Sequence, residues 1–358
     1  MGYASKVYFI KVAESDPADA VSARLAELVD KSRVLDAVGP GDKTAVKMHF
    51  GEEGNTGHVR AEYAGIVCRK ITARGAEPFL ADTNTLYRGR RTTSADHIKL
   101  AAEHGFTKKA CGAGVIVPDD TKKGSVTDVE IDGEFFKTAK VASIFLKADS
   151  IVSLAHFKGH IMTAFGGGLK NIGMGCASRE GKLAQHSEIA PIVYLERCEG
   201  CMACVKSCPA DAIRSEGGRI VIDPAKCIGC ATCIAECVRG AIEVDWEAGG
   251  MKIQEKMVEY ASAVLLKKKK HLAFINFATK ITKECDCLAK DDPRIIPDIG
   301  IFASNDPVSV DKACYDACIN ASGKDIFKTV HPDRDGSKQL KYAAKLGLGD
   351  LDYELIEL

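Results

Sequence analysis

Eight cysteines at a repeated spacing constrain this chain more than any other feature. Residues 198–209 read CEGCMACVKSCP and residues 227–238 read CIGCATCIAECV, so the spacing C-x2-C-x2-C-x3-C occurs twice. Three thiolates spaced in this way can wrap one face of a metal–sulfur cubane, with the intervening amides turned toward the sulfides, and the fourth ligand must come from elsewhere. Four-cysteine zinc sites use two C-x2-C pairs per ion, so the spacing selects 4Fe-4S clusters over zinc. The chain has 15 cysteines, an odd number, and its start, MGYASKVYFIKV, reads as a first strand rather than an export signal. We therefore expect cytoplasmic thiols serving as ligands, not a disulfide framework.

The cysteine block resembles the two-cluster bacterial ferredoxins. That resemblance implies that the fourth cysteine of each run serves the other cluster. One cluster would then be held by Cys198, Cys201, Cys204 and Cys237, and the other by Cys227, Cys230, Cys233 and Cys208. PADAI after Cys208 is matched by VRGAI after Cys237, an internal repeat, although Val238 stands where the first run has Pro209. Gly217-Gly218 reads as a hairpin turn between two strands of this block.

Outside the block, short apolar runs at 5–12, 44–50, 78–82, 150–157, 271–277 and 298–303 read as strands. Stretches 17–34, 59–75 and 251–266 carry helical periodicity, and Asp306-Pro307 reads as N-cap and first residue of a further helix. Neither flank is complete alone. We therefore expect an α/β fold: a discontinuous, layered main domain of residues 1–187 and 248–358, with an inserted 2x4Fe-4S ferredoxin-like α+β domain at 188–247. The run Lys267–Lys270 reads as a solvated helix end. Lys and Arg number 49, as do Asp and Glu, and no run is apolar enough to span a bilayer, so neither nucleic acid nor a membrane is an expected partner.

A second group of signals lies at 156–186, HFKGHIMTAFGGGLKNIGMGCASREGKLAQH. It combines His156, His160, His186 and Lys170 with Gly166, Gly167, Gly168, Gly173 and Gly175, glycines that permit positive φ or close backbone approach around a ligand. The order of Gly and Lys matches neither a Walker A loop nor G-x-G-x-x-G. Cys285 and Cys287, in CDC, form a pair suited to a soft metal or to dithiol chemistry, and Asp82 to Arg91, DTNTLYRGRR, offers groups for an anionic substrate. Cys68, Cys111, Cys314 and Cys318 read as core, the last two packing with Ala313 and Ala317.

Together KMHFGEEGNTGHV (47–59), ADTNTLYRGRRTTSADH (81–97), HFKGHIMTAFGGGLKNIGMG (156–175), CDC (285–287) and DIGIFASNDPVSVDKA (298–313) resemble the family catalogued as domain of unknown function 362, in a form with a ferredoxin insertion. That resemblance implies iron–sulfur content and an anaerobic redox setting. A remoter similarity joins His160, Lys170 and His186 to the nickel-pincer lactate racemases, where residues at these spacings move a proton or hydride, anchor the organic cofactor and bind nickel.

The resulting expectation is an iron–sulfur oxidoreductase in which two 4Fe-4S clusters relay electrons between a redox partner protein and a small-molecule site on the α/β domain. In that site His160 acts as general acid, Lys170 holds an anionic substrate or cofactor, and His186 is a ligand or second proton donor, with Gly166, Gly167 and Gly168 around the bound group. An additional metal or organic cofactor of unknown identity has a place there. The alternatives are a non-catalytic electron carrier and a metal-cofactor isomerase on a racemase-like scaffold.

Overall fold

The computed structural model describes residues 5–186, 190–245 and 252–358. Its centre is an eight-stranded sheet of β1 (Ser5–Lys11), β2 (Lys43–Lys47), β3 (Glu77–Ala81), β4 (Val115–Ile116), β5 (Ser150–His156), β6 (Leu272–Ala278), β7 (Gly300–Ser304) and β8 (Tyr353–Glu357). The spatial order is β8-β1-β7-β6-β5-β2-β3-β4. Only β7 runs against its neighbours; every other pairing in the sheet is parallel.

Parallel strands covered on both faces need apolar residues on both, and the register supplies them. Ala45 and Ile151 are paired and face one core, while the next pair, Val46 and Val152, face the other. Helices α1 (Ala18–Ser32) and α2 (Ala61–Ala73) bury Leu25, Leu28, Val67 and Ile71 on the second face. Helices α3 (Gly168–Gly173), α5 (Ile253–Lys268) and α6 (Pro307–Ser322) bury Leu169, Met257, Val264 and Val310 on the first. Between them in the chain, α4 (Arg179–His186) leads to the cysteine block. The result is the expected layered α/β body, formed by both flanks of that block.

Most expected elements appear where the pattern places them. Asp306 caps α6, its Oδ1 accepting from the Val308 and Ser309 amides at 2.8 and 2.9 Å, with Pro307 in the first turn. Cys314 and Cys318 are fully buried in the first core. The strand expected at 44–50 ends at Lys47, because Met48, His49 and Phe50 turn off the sheet. Met251, where a helix was expected to begin, and the expected domain boundaries at 187–188 and 247–248 lie outside the described residues.

Between α4 and α5, residues 190–245 form two small sheets, Ile192–Val193 with Ile242–Glu243 and Ile213–Glu216 with Arg219–Ile222. The second is the hairpin expected at Gly217-Gly218, whose φ values of 56° and 80° suit a tight turn. Among the described residues no helix is long and apolar enough to cross a membrane.

The short helix α3 is held at its start by a buried carboxylate. Asp311 on α6 accepts from the Gly168 and Leu169 amides at 2.7 and 2.9 Å and from Asn276 Nδ2 at 2.6 Å. Asp311→Ala would strip three buried donors of their acceptor. It should lower the unfolding free energy by about 3 kcal/mol, measured by urea denaturation.

Candidate functional site

Chain order proceeds outward across the sheet from β2 on one side and from β5 on the other, so strand order reverses between these two parallel neighbours. Ligands of open α/β sheets bind beyond the carboxyl ends of strands at such a point. A cavity of about 560 Å3 lies here, within the range of small-molecule sites. Lys47 and His49 follow β2 into it, Asp82 and Thr83 follow β3, and His156 and Lys158 follow β5. Lys170 comes from α3, Lys182 and His186 from α4, and Tyr87, Arg91 and Asp286 from loops.

Among the described residues cations outnumber anions in this lining: Lys47, Arg91, Lys158, Lys170, Lys182 and Arg334 face the cavity with only Asp82 and Asp286. Some charges are paired. Lys47 Nζ lies 3.0 Å from Asp82 Oδ1, and Arg91 Nε lies 3.0 Å from Glu52 Oε2 behind the wall. Lys182 donates to Thr83 Oγ1 at 2.6 Å and to the Asn84 carbonyl at 2.5 Å, and burial pulls its pKa down to about 8. The Lys170 ammonium has no hydrogen bond or ion pair among the described residues, and burial, reinforced by Lys158, pulls its pKa down to about 7.

Asp286 organises the opposite wall. Burial alone would raise its pKa, but His156 and Lys158 hold it well below the usual carboxylate range. Both of its carboxylate oxygens lie 2.9 Å from His156 Nδ1, and Lys158 Nζ is 3.2 Å away. His156 Nε2 lies 2.8 Å from the Thr279 carbonyl, so both ring nitrogens face acceptors and the ring is a fixed strut, not a ligand.

His160 differs. Its Nδ1 accepts from the Met162 and Thr163 amides, both at 3.2 Å, which leaves the ring proton on Nε2. Burial and then Lys170 hold its pKa well below the ordinary histidine value, so at neutral pH it offers a neutral N–H instead of the imidazolium expected of a general acid. Burial, with Lys170 and Lys182, likewise takes His186 down to about 3. Cys285 and Cys287 are joined by a disulfide, and a ring nitrogen of His160 and the two sulfurs lie within 4.8 Å of one another.

His160, Lys170 and His186 thus line one cavity, as do Gly166 and Gly167, whereas the Gly168 amide is turned to Asp311. None of the five glycines adopts positive φ. Gly167, Gly173 and Gly175 are required for packing: a Cβ on Gly167 would lie 2.5 Å from Asp311 Oδ1, one on Gly173 2.2 Å from the Met257 carbonyl oxygen and one on Gly175 2.2 Å from that of Asn171. Lys47, His49, Lys182 and Asp286 were not singled out in the sequence, although Lys47 and His49 alternate off the end of a strand.

The eight repeat cysteines form two groups. One small hollow is lined by Cys198, Cys201, Cys204 and Cys237, and another by Cys208, Cys227, Cys230 and Cys233. Equivalent positions in the two runs share backbone geometry. Gly200 and Gly229, Met202 and Ala231, and Asp211 and Gly240 all have φ between 49° and 71°. The Ala212 amide donates to Cys208 Sγ at 3.3 Å, and the Ala241 amide to Cys237 Sγ at 3.2 Å. Leu86 and Leu183 share a buried core with Cys204 and Cys233. Arg88 donates to the carbonyl of Val238, next to Cys237.

The family model described as Domain of unknown function (DUF362) matches residues 44–316. The chain belongs to this family. The match runs across the cysteine block and includes every cavity residue discussed here except Arg334. No curated protein matches the chain. Among solved structures, this DUF362 chain is similar to a structural-genomics target from Thermotoga maritima at 14% identity and TM-score 0.44, covering 86% of this chain and 59% of that one. It is also similar to lactate racemase apoprotein from Thermoanaerobacterium thermosaccharolyticum at 15% identity and TM-score 0.40, covering 76% and 50%. It therefore spans less than two thirds of either.

The unpartnered Lys170 sets a pH dependence. An anion in the cavity favours the ammonium form, which exists below about pH 7 and is lost as pH rises through that value. Binding of inorganic phosphate or a small carboxylate, measured by calorimetry, should weaken between pH 6 and 8 on that account, in a window set by the value of about 7. Lys170→Met should flatten the curve.

Proposed function

We propose that this DUF362 chain is an iron–sulfur oxidoreductase whose α/β body binds a small anionic substrate at the carboxyl ends of β2 and β5. The grouping of four cysteines around each hollow supports two 4Fe-4S clusters, which would be held by Cys198, Cys201, Cys204 and Cys237 and by Cys227, Cys230, Cys233 and Cys208. Left-handed residues turn each loop, and backbone amides point at Cys208 and Cys237, the crossing ligands. Such clusters, when bound, supply one-electron transfers.

One observation carries the coupling to the cavity: Leu86 and Leu183 lie in the core of the cysteine segment, while their chain neighbours Thr85, Tyr87 and Lys182 line the cavity. The surplus of cations orients an anion, Lys170 accepts or returns a proton near neutral pH, and His160 offers Nε2–H. Exposed Ile228 and Val238, beside Cys227 and Cys237, suit a redox partner protein. A plain electron carrier leaves so charged a cavity without a use. The isomerase reading keeps one observation in its favour, that His160, Lys170 and His186 share the cavity. We place the protein in a reducing cytoplasm, where its thiols stay free for metal.

Anaerobic reconstitution should bring about eight irons per chain, as two 4Fe-4S clusters require. Dithionite-reduced protein should be reoxidised, followed by visible absorbance, by one member of a panel of 2-oxo acids and unsaturated carboxylates. Lys170→Ala should slow that reoxidation by about 100-fold or more without loss of iron. Iron far below this stoichiometry, or a Lys170→Ala rate equal to wild type, defeats the reading; nickel or a mass adduct on Lys170 in the same preparation would favour the isomerase instead.

A further inference from the structure

We propose that Cys285 and Cys287 are a two-electron redox centre in the cavity wall, exchanging electrons with the cysteine-repeat segment through Leu86 and Tyr87; this rests on the iron–sulfur reading above. The pair is joined by a disulfide across a separation of two residues, while the other thirteen cysteines are free. So short a loop removes little entropy from the unfolded chain, which leaves the bond without much stabilising purpose. In a reducing compartment a disulfide of this kind is more often catalytic.

The surroundings fix the pair in place. Asp286, between the two cysteines, is tied to His156 and Lys158, and its carbonyl accepts from the Glu52 amide at 3.1 Å. Cys287 lines the cavity. His160 lies close to both sulfurs, and its chemistry separates two uses of this trio. With Nδ1 already accepting from two amides, a metal on Nε2 would have to displace the only ring proton. An N–H beside a thiolate stabilises it instead.

Three consecutive residues connect the pair to the repeat segment. Tyr87 donates its hydroxyl proton to the Cys287 carbonyl at 2.7 Å, Leu86 belongs to the buried core that contains Cys204 and Cys233, and Arg88 binds the Val238 carbonyl. In the reductive direction the S–S bond breaks as it takes up two electrons, delivered singly, and two protons from the cavity, giving two thiols. In the oxidative direction the two thiols release two electrons and two protons and the bond re-forms. The reductant is a one-electron donor supplied by the redox partner. Two one-electron clusters together hold the two electrons that one disulfide requires.

The test uses reduced methyl viologen as the one-electron donor to reconstituted, disulfide-intact protein under anaerobic conditions. After acid quench, denaturation and alkylation with iodoacetamide, the peptide carrying both residues is weighed. Cys285 and Cys287 should both become alkylated, and Leu86→Ala should slow this several-fold while a phosphine opens the bond equally fast in both proteins. Clusters that reduce beside a bond that stays closed overturn this proposal and leave the iron–sulfur reading standing. Failure to assemble clusters overturns both. A metal ion in the native protein beyond the iron of the two clusters, lost in Cys285→Ser, overturns it in favour of a metal site.

Discussion

The cavity depends on the arrangement of charge around Asp286. A buried carboxylate tolerates removal from water only when opposite charges and donors surround it, and here His156 and Lys158 do so from the end of β5. In return Asp286 fixes the direction in which those two residues leave the sheet. It also sets the position of Cys285 and Cys287 on either side of it. Lys47 with Asp82 and Arg91 with Glu52 repeat the device beyond β2 and β3. Among the described residues, Lys170 and Lys182 then face the cavity without a carboxylate partner.

Much of the framework was legible from hydrophobic pattern. Parallel strands buried on both faces give apolar runs such as LAFINFA, and α6 begins with an Asp-Pro whose side chain and ring geometry both favour a helix start. The pairing of the two cysteine runs was legible too, because the spacing repeats; each hollow gathers three cysteines of one run and the fourth of the other. The roles of glycine were not. Periodicity cannot distinguish a glycine that turns the chain from one, such as Gly173, that admits the Met257 carbonyl.

The histidines show a similar limit. Sequence brings His156 and His160 forward together, and only their partners separate them: one has acceptors at both nitrogens, the other has donors at Nδ1. Lys182, Lys47 and Asp286 escaped notice for a related reason. Their significance comes from being brought together by β2, α4 and a loop far apart in the chain, and no local motif records that meeting.

Helix α4 has two sides, and the consequence reaches past the cavity. Leu183 is buried among the cysteine loops, while Lys182 and His186 of the same helix point into the charged space. A rigid rod wedged between two chambers transmits wear from one to the other. Whatever loosens the cysteine loops around Leu183 would also shift Lys182 and His186, so damage to one chamber would reach the other.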